Sequence, residues 1–293
     1  MNAKAITLRS FPPSMSWHDC LKEVHHAGYN AVEVNFDGLF ELNCSTDTLR
    51  EIRKVCRRYH LKVVSVYSRE QWKTPISSNR PANRRKAERI LSRLIEIAAH
   101  LGTPTVLTIP GAVDNSILSE QVEVIPYEVA YTRSAEALLR LARQAEKEGV
   151  VLAIENVANK FLLSPLEMRT FIEKIGSPSI GCHFDVANCV YTGGVPEQWI
   201  RILAKHIKAV HLKDYRIAAG NLVGFVNIFE GDINWDQVCR ALAEVRYEGA
   251  LISEVLPAYR YHPEVLLQST HIAIDCLCAD IEGYRHQMDA CLH

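Results

Sequence analysis

Four short apolar runs each carry an ionisable residue where burial would normally exclude one. Glu155 lies in VVLAIENV, His183 and Asp185 in IGCHFDVA, His211 and Lys213 in KAVHLKD, and Glu254 in ALISEVLP. Residues two apart on a strand share a face. His183 and Asp185 therefore point the same way. Glu155 shares its face with Ala153 and Val151, His211 with Ala209 and Ile207, and Glu254 with Ile252 and Ala250. Burying three carboxylates together without a cation would be very costly. Two glutamates, one aspartate and one histidine make an oxygen-rich set for a divalent metal, with positions left open for substrate or water. Asp185 reads as a ligand and His183 as a neighbour able to touch ligand or substrate.

Plainer readings exist for each residue alone. His211 could be an interior histidine with its hydrogen bonds satisfied. Glu155 or Glu254 could pair with Lys213 or Lys160. One ionisable residue at the end of each of four successive strands favours the metal set over these. Glu33, beside Asn35 on strand two, faces inward and could support a ligand or bind substrate. Gly231 in FEGDINW makes a turn or belongs to a loop that shapes the pocket. His25 and His26 lie on an early helix and read as surface or packing residues.

The elements that must position these residues repeat along the chain. Val- and Ile-rich runs at 5–10, 31–36, 62–68, 105–111, 150–157, 180–187, 208–214 and 250–257 read as strands, most of them followed by a helical apolar stripe. Strands flanked by helices are buried on both faces, as parallel strands are. Eight such units predict an α/β chain folded as one (β/α)8 TIM barrel over residues 1–293. Chemistry in that fold sits at the C-terminal ends of the strands. A doubly wound open sheet is the alternative, but no Gly-rich phosphate fingerprint follows the first strand. Residues 114–129 read as a loop insertion near the mouth, and His262–His293 as a helix or two closing the barrel.

A net charge of -1 gives no electrostatic reason to expect nucleic acid. No signal peptide or apolar run of about 18 residues points to a membrane. The nine cysteines are odd in number and contain no CxxC pair, which predicts free thiols in a reducing cytoplasm. The expected partner is a small molecule, and a homo-oligomer is compatible with this composition.

Taken in order, AIEN, HFDVAN, HLKD, FEGDINW and ISEV give the chain a specific likeness. It resembles the xylose-isomerase-like TIM barrels of the sugar phosphate isomerase/epimerase superfamily, most strongly from Val150 to Pro257. The resemblance implies that Glu155, Asp185, His211 and Glu254 hold a divalent metal ion, Mn²⁺ or Zn²⁺, with Mg²⁺ or Co²⁺ also compatible. It further implies that Glu155 and Glu254 double as acid/base groups. Many free-ketose epimerases of this superfamily place a histidine three residues after the strand-six aspartate. Here that position is Asn188, and the D-x-x-N and H-x-K-D forms look closer to L-xylulose/L-ribulose-5-phosphate 3-epimerases. The implied activity is that of a metal-dependent sugar or sugar-phosphate isomerase/epimerase. Foremost is a ketose(-phosphate) 3-epimerase working through a metal-stabilised enediolate, with His183, Asn188, Lys213 and Glu33 as substrate contacts. A keto-polyol dehydratase or an aldose–ketose isomerase would use the same first deprotonation. A non-catalytic sugar-binding barrel is disfavoured by the full ligand set. A DNA-repair nuclease like endonuclease IV is disfavoured by the missing ligands for three zinc ions and the lack of basic character.

Overall fold

The structure, a computed structural model, describes residues 2–117, 122–255 and 261–291. Eight strands close into a barrel: β1 (Lys4–Thr7), β2 (Ala31–Asn35), β3 (Lys62–Tyr67), β4 (Thr105–Thr108), β5 (Val151–Glu155), β6 (Ile180–Asp185), β7 (Ile207–Leu212) and β8 (Ala250–Ser253). Each pairs in parallel with the next, and β8 pairs back onto β1. Closure excludes the open-sheet alternative.

Alternation along the strands makes two cores. Ala5, Ala31, Val64, Ala209, Ala250 and Ile252 point inward and pack together at the base of the barrel. Their neighbours Val32, Val210 and Leu251 point outward into the layer beneath the helices. Small inward residues fit the narrow lumen of an eight-strand ring. The helices carry the expected local signals. Ser164 caps Pro165–Ile175 by accepting from the Glu167 amide at 3.2 Å. The long helix Pro81–Leu101 ends at Gly102 in the left-handed region.

The strands stop sooner than the sequence suggests. β1 gives way to a 3₁₀ turn at Leu8–Ser10, β4 ends at Thr108, β6 passes at Asp185 into a short helix, Val186–Tyr191, and β8 ends at Ser253. Ile109, Val186, Ala187 and Val255 are nonetheless buried, because the segments that fold over the barrel mouth are themselves covered. Apolar character therefore outlasts the ladder. Leu256 and Pro257, the end of the eighth expected strand, lie outside the described residues, as do residues 118–121 of the expected loop insertion. The described part of that insertion makes an antiparallel bridge between Asp114 and Val124 before the helix Tyr127–Glu148. A single helix, Pro263–Ala290, closes the chain's described residues. An antiparallel ribbon of Asp214–Tyr215 with Phe225–Val226, not anticipated from sequence, follows β7. Among the described residues no helix is long and apolar enough to cross a membrane.

Candidate metal centre

Glu155 and Asp185 are the last residues of β5 and β6, and His211 lies one residue from the end of β7. Glu254 follows β8 directly, and its amide donates to the Leu212 carbonyl at 3.0 Å, which carries the ladder one step further. Asp185 stands opposite His211, and His211 opposite Ile252. A register shift between Cys182 and His183 re-aims the end of β6. One ligand atom from each of Glu155, Asp185, His211 and Glu254 then lies within 4.8 Å of all the others, and all four residues are buried.

The His211 ring is the centre of this group. Its Nδ1 lies 3.5 Å from Glu155 Oε1, 3.7 Å from Asp185 Oδ2 and 3.8 Å from Glu254 Oε2. Among the described residues no hydrogen bond reaches this buried nitrogen. On the far side of the ring, Nε2–H donates to the Glu33 carboxylate, whose oxygens are 3.2 and 3.3 Å away. An orphaned ring nitrogen facing three carboxylate oxygens, with the other nitrogen held by a carboxylate, is a donor set and support that could hold a divalent cation. The residues fit such an ion.

Two asparagines hold the carboxylates in place. The Asn156 side chain accepts from the Asp185 amide and donates to the Asp185 carbonyl, both at 2.8 Å. Asp185 Oδ1 accepts from the Asn188 amide at 2.8 Å and so caps the short helix. Asn188 Nδ2 donates to the Asn156 carbonyl at 3.0 Å and reaches Glu155 Oε1 at 3.4 Å. The E-N and D-x-x-N motifs thus brace each other. Asn188 also lines the cavity above.

Positive charge comes from two sides. Lys213 donates to Asp185 Oδ2 and, at 2.6 Å, to Glu254 Oε2. Arg9 donates to Glu254 Oε1 at 2.9 Å and sits 5.6 Å over the Tyr67 ring. Lys160 pairs instead with Asp114 at 2.7 Å, so it is not the partner of Glu155 or Glu254 that the sequence allowed. Sequence reasoning missed Arg9 because, Glu33 on strand two apart, it looked for strand-end charges on the last four strands. The same rule applied to β1 places Arg9 two residues past its end.

These charges divide the carboxylates. Burial pushes Glu155 up to about 7; Asp185 and Glu254 add to this and His211 opposes it. Burial also works on Glu254, but Lys213, Arg9 and His211 outweigh it and hold the group well below the usual range. Glu33, buried yet bonded to His211, is held down at about 2. Burial would lower His211, but Glu33, Asp185 and Glu155 keep it well above an ordinary histidine. His183 is brought down to about 3 by burial and by the charge of His211. Its ring is fully buried at a T-shaped 4.2 Å from that of His211, and neither nitrogen finds a hydrogen-bond partner among the described residues. His183 and Glu33 stand behind His211 rather than in the cavity lining. His25 and His26 are exposed on the helix Trp17–His26.

A cavity of about 430 Å³ opens above the cluster. Glu155, His211, Lys213 and Glu254 line it, together with the apolar and aromatic side chains of Tyr67, Trp72, Leu107, Val157 and Phe225. The loop bearing FEGDINW is tied to β7. Asp214 accepts from the Phe229 amide at 3.1 Å, the Ile233 amide at 3.2 Å and Trp235 Nε1 at 2.8 Å. A Cβ on Gly231 would lie 2.3 Å from Asp214 Oδ1, so glycine is required for this close approach. Gly231 makes the turn, and Phe225 and Val226 just before it wall the cavity.

Comparison with known proteins gives concordant results. An Escherichia coli K12 protein provisionally named L-ribulose-5-phosphate 3-epimerase is 23% identical over 262 residues, which cover 84% of this chain and 86% of that protein. A 2-epi-5-epi-valiolone 7-phosphate 2-epimerase from Actinoplanes sp. is 34% identical over 127 residues, covering 43% of this chain and 42% of its own. The solved structure of an L-ribulose 3-epimerase superposes with a TM-score of 0.79 at 22% identity, covering 99% of this chain and 98% of that one. The family model described as xylose isomerase-like TIM barrel matches residues 21–270, and the chain belongs to that family.

Proposed function

We propose that this protein is a divalent-metal-dependent epimerase of a keto sugar or keto-sugar phosphate. The observation that carries the reading is the orphaned Nδ1 of His211, which faces one oxygen from each of three carboxylates, beside a cavity of small-molecule size that His211, Glu155 and Glu254 line. Glu155, Asp185, His211 and Glu254 would hold the ion. Mn²⁺ or Zn²⁺ suits this mixed nitrogen and oxygen set, and Mg²⁺ or Co²⁺ is compatible with it. A bound ion would supply positive charge to stabilise the anion left when a hydrogen beside a carbonyl is removed.

The chain's own residues do the rest. Epimerisation removes a proton from one face of a carbon and returns one to the other. Glu155 and Glu254 leave strands separated by β6 and β7, so they can flank a bound sugar. Asp185 and His211 need only bind. Asn188 and Lys213, both in the cavity lining, are placed to meet substrate hydroxyl or phosphate oxygens. The relatives' names, L-ribulose-5-phosphate 3-epimerase and L-ribulose 3-epimerase, support a 3-epimerase. We place the reaction in the cytoplasm, in keeping with nine free cysteines.

The test is a screen of pentuloses, hexuloses and their phosphates in deuterated water with Mn²⁺ or Zn²⁺. Deuterium is expected at the carbon beside the ketone, together with inversion there. Absence of exchange in every substrate that binds would refute the proposal.

A further inference from the structure

We propose that Lys213 is the site's own counter-cation: its ammonium stands in for the metal in the metal-free protein and is pushed aside when a divalent ion binds. This rests on the metal reading above. The Lys213 side chain is 9% exposed, and its Nζ bonds Asp185 Oδ2 and Glu254 Oε2. These are the two oxygens that face His211 Nδ1 at 3.7 and 3.8 Å. An ion joined to both would enter the ammonium's own coordination shell, and two positive centres that close, with little solvent between them, repel strongly.

The exchange favours a divalent ion for a physical reason. Three buried carboxylates need positive charge, and Lys213 supplies one unit of it. A divalent ion supplies two. It would also take His211 Nδ1 and Glu155 as ligands, neither of which is hydrogen-bonded to Lys213 among the described residues. A potassium ion brings no more charge than the ammonium it would replace. Arg9 stays on the other oxygen of Glu254 and holds that carboxylate during the exchange. The displaced ammonium has somewhere to go, since Lys213 lies 5.3 Å over the Phe225 ring and lines the cavity. Metal loading would therefore deliver a cation to the place where the substrate binds.

Lys213→Met keeps the length and apolar stem and removes the charge. Its Kd for Mn²⁺ and Zn²⁺, measured by chelator competition, is expected to fall by about 5–150-fold, the size of an ordinary coupling free energy of about 1–3 kcal/mol. The metal-free variant should melt at a lower temperature than the wild type and gain more from metal. A lysine that merely supports the ligands has the opposite sign, a loss of about 10–100-fold, so unchanged or weaker binding overturns the proposal. A second arm uses the wild type. Reductive methylation read by mass spectrometry should spare Lys213 in the metal-free protein and in potassium, and modify it after Zn²⁺ loading. Equal labelling in all three states overturns the proposal. If the wild type binds no divalent ion, the metal reading fails and this inference fails with it. Normal wild-type binding with no gain in Lys213→Met removes this inference alone.

Discussion

Glu33→Gln tests the support of the proposed metal centre without touching a proposed ligand. Both Glu33 oxygens lie within 3.3 Å of His211 Nε2, and the residue is 1% exposed. The carboxylate can only accept, so Nε2 must carry a proton and Nδ1 keeps its lone pair when the ring is neutral. Glutamine fills the same space but brings an amide that can donate. If it donates to Nε2, the proton moves to Nδ1 and the metal loses its nitrogen ligand. Loss of such an outer partner typically lowers metal affinity by about 10–100-fold, or about 1.4–2.7 kcal/mol. The buried Glu33–His211 contact also weakens, so the metal-free protein should lose about 1–3 kcal/mol. Calorimetric titration with Zn²⁺ measures the first effect and denaturant melts the second. Because Glu33 is outside the cavity lining, the substrate KM at saturating metal should not move. A variant with wild-type Zn²⁺ affinity would refute the argument. A raised KM with normal metal would make Glu33 a substrate contact instead.

Substitutions at the proposed ligands themselves have different expected outcomes. Asp185→Asn is expected to lose most bound metal and activity while circular dichroism stays native, and normal metal by elemental analysis would contradict its assignment. Glu155→Gln and Glu254→Gln should each keep measurable metal but lose turnover by about 10²–10⁴-fold. One of the pair should still exchange the substrate hydrogen without inverting the centre, and near-normal epimerisation by both would exclude two-base chemistry. Metal binding should also release protons. Glu155 at about 7 and His211 well above its ordinary value hold protons that a ligand must give up, so apparent affinity rises with pH across neutrality. At pH 6 about one proton or more should be released, read by calorimetry in buffers of different ionisation enthalpy; no release would contradict this.

The barrel is legible in the sequence because parallel strands covered on both faces read as Val- and Ile-rich runs, and eight of them recur. Glu155, Asp185, His211 and Glu254 are legible for the opposite reason: each is a charge in a run that should have none. The chain does not announce where strands end, since Ile109 and Val186 stay buried after the ladder stops. It also hides contacts made across the ring. Arg9 meets Glu254 at a sequence separation of 245 residues. Asn156 serves through backbone bonds to Asp185, and side-chain pattern carries no trace of those. Nothing in local periodicity marks Asp214 as the anchor of a loop that follows it.

That anchor has a bearing on how the protein could be altered or could diverge. Asp214 adjoins the strand that carries His211, and it grips the segment from Phe229 to Trp235. Phe225 and Val226, which bound the cavity, hang between the two fixed points. A transplant of the cavity wall from a relative would therefore succeed as one cassette from His211 to Trp235. A graft cut between Tyr215 and Gly231 would separate the aspartate from the Phe229 and Ile233 amides and the Trp235 indole it was matched to, and would leave a buried carboxylate with the adjacent Tyr215 amide as its remaining donor, three residues from His211.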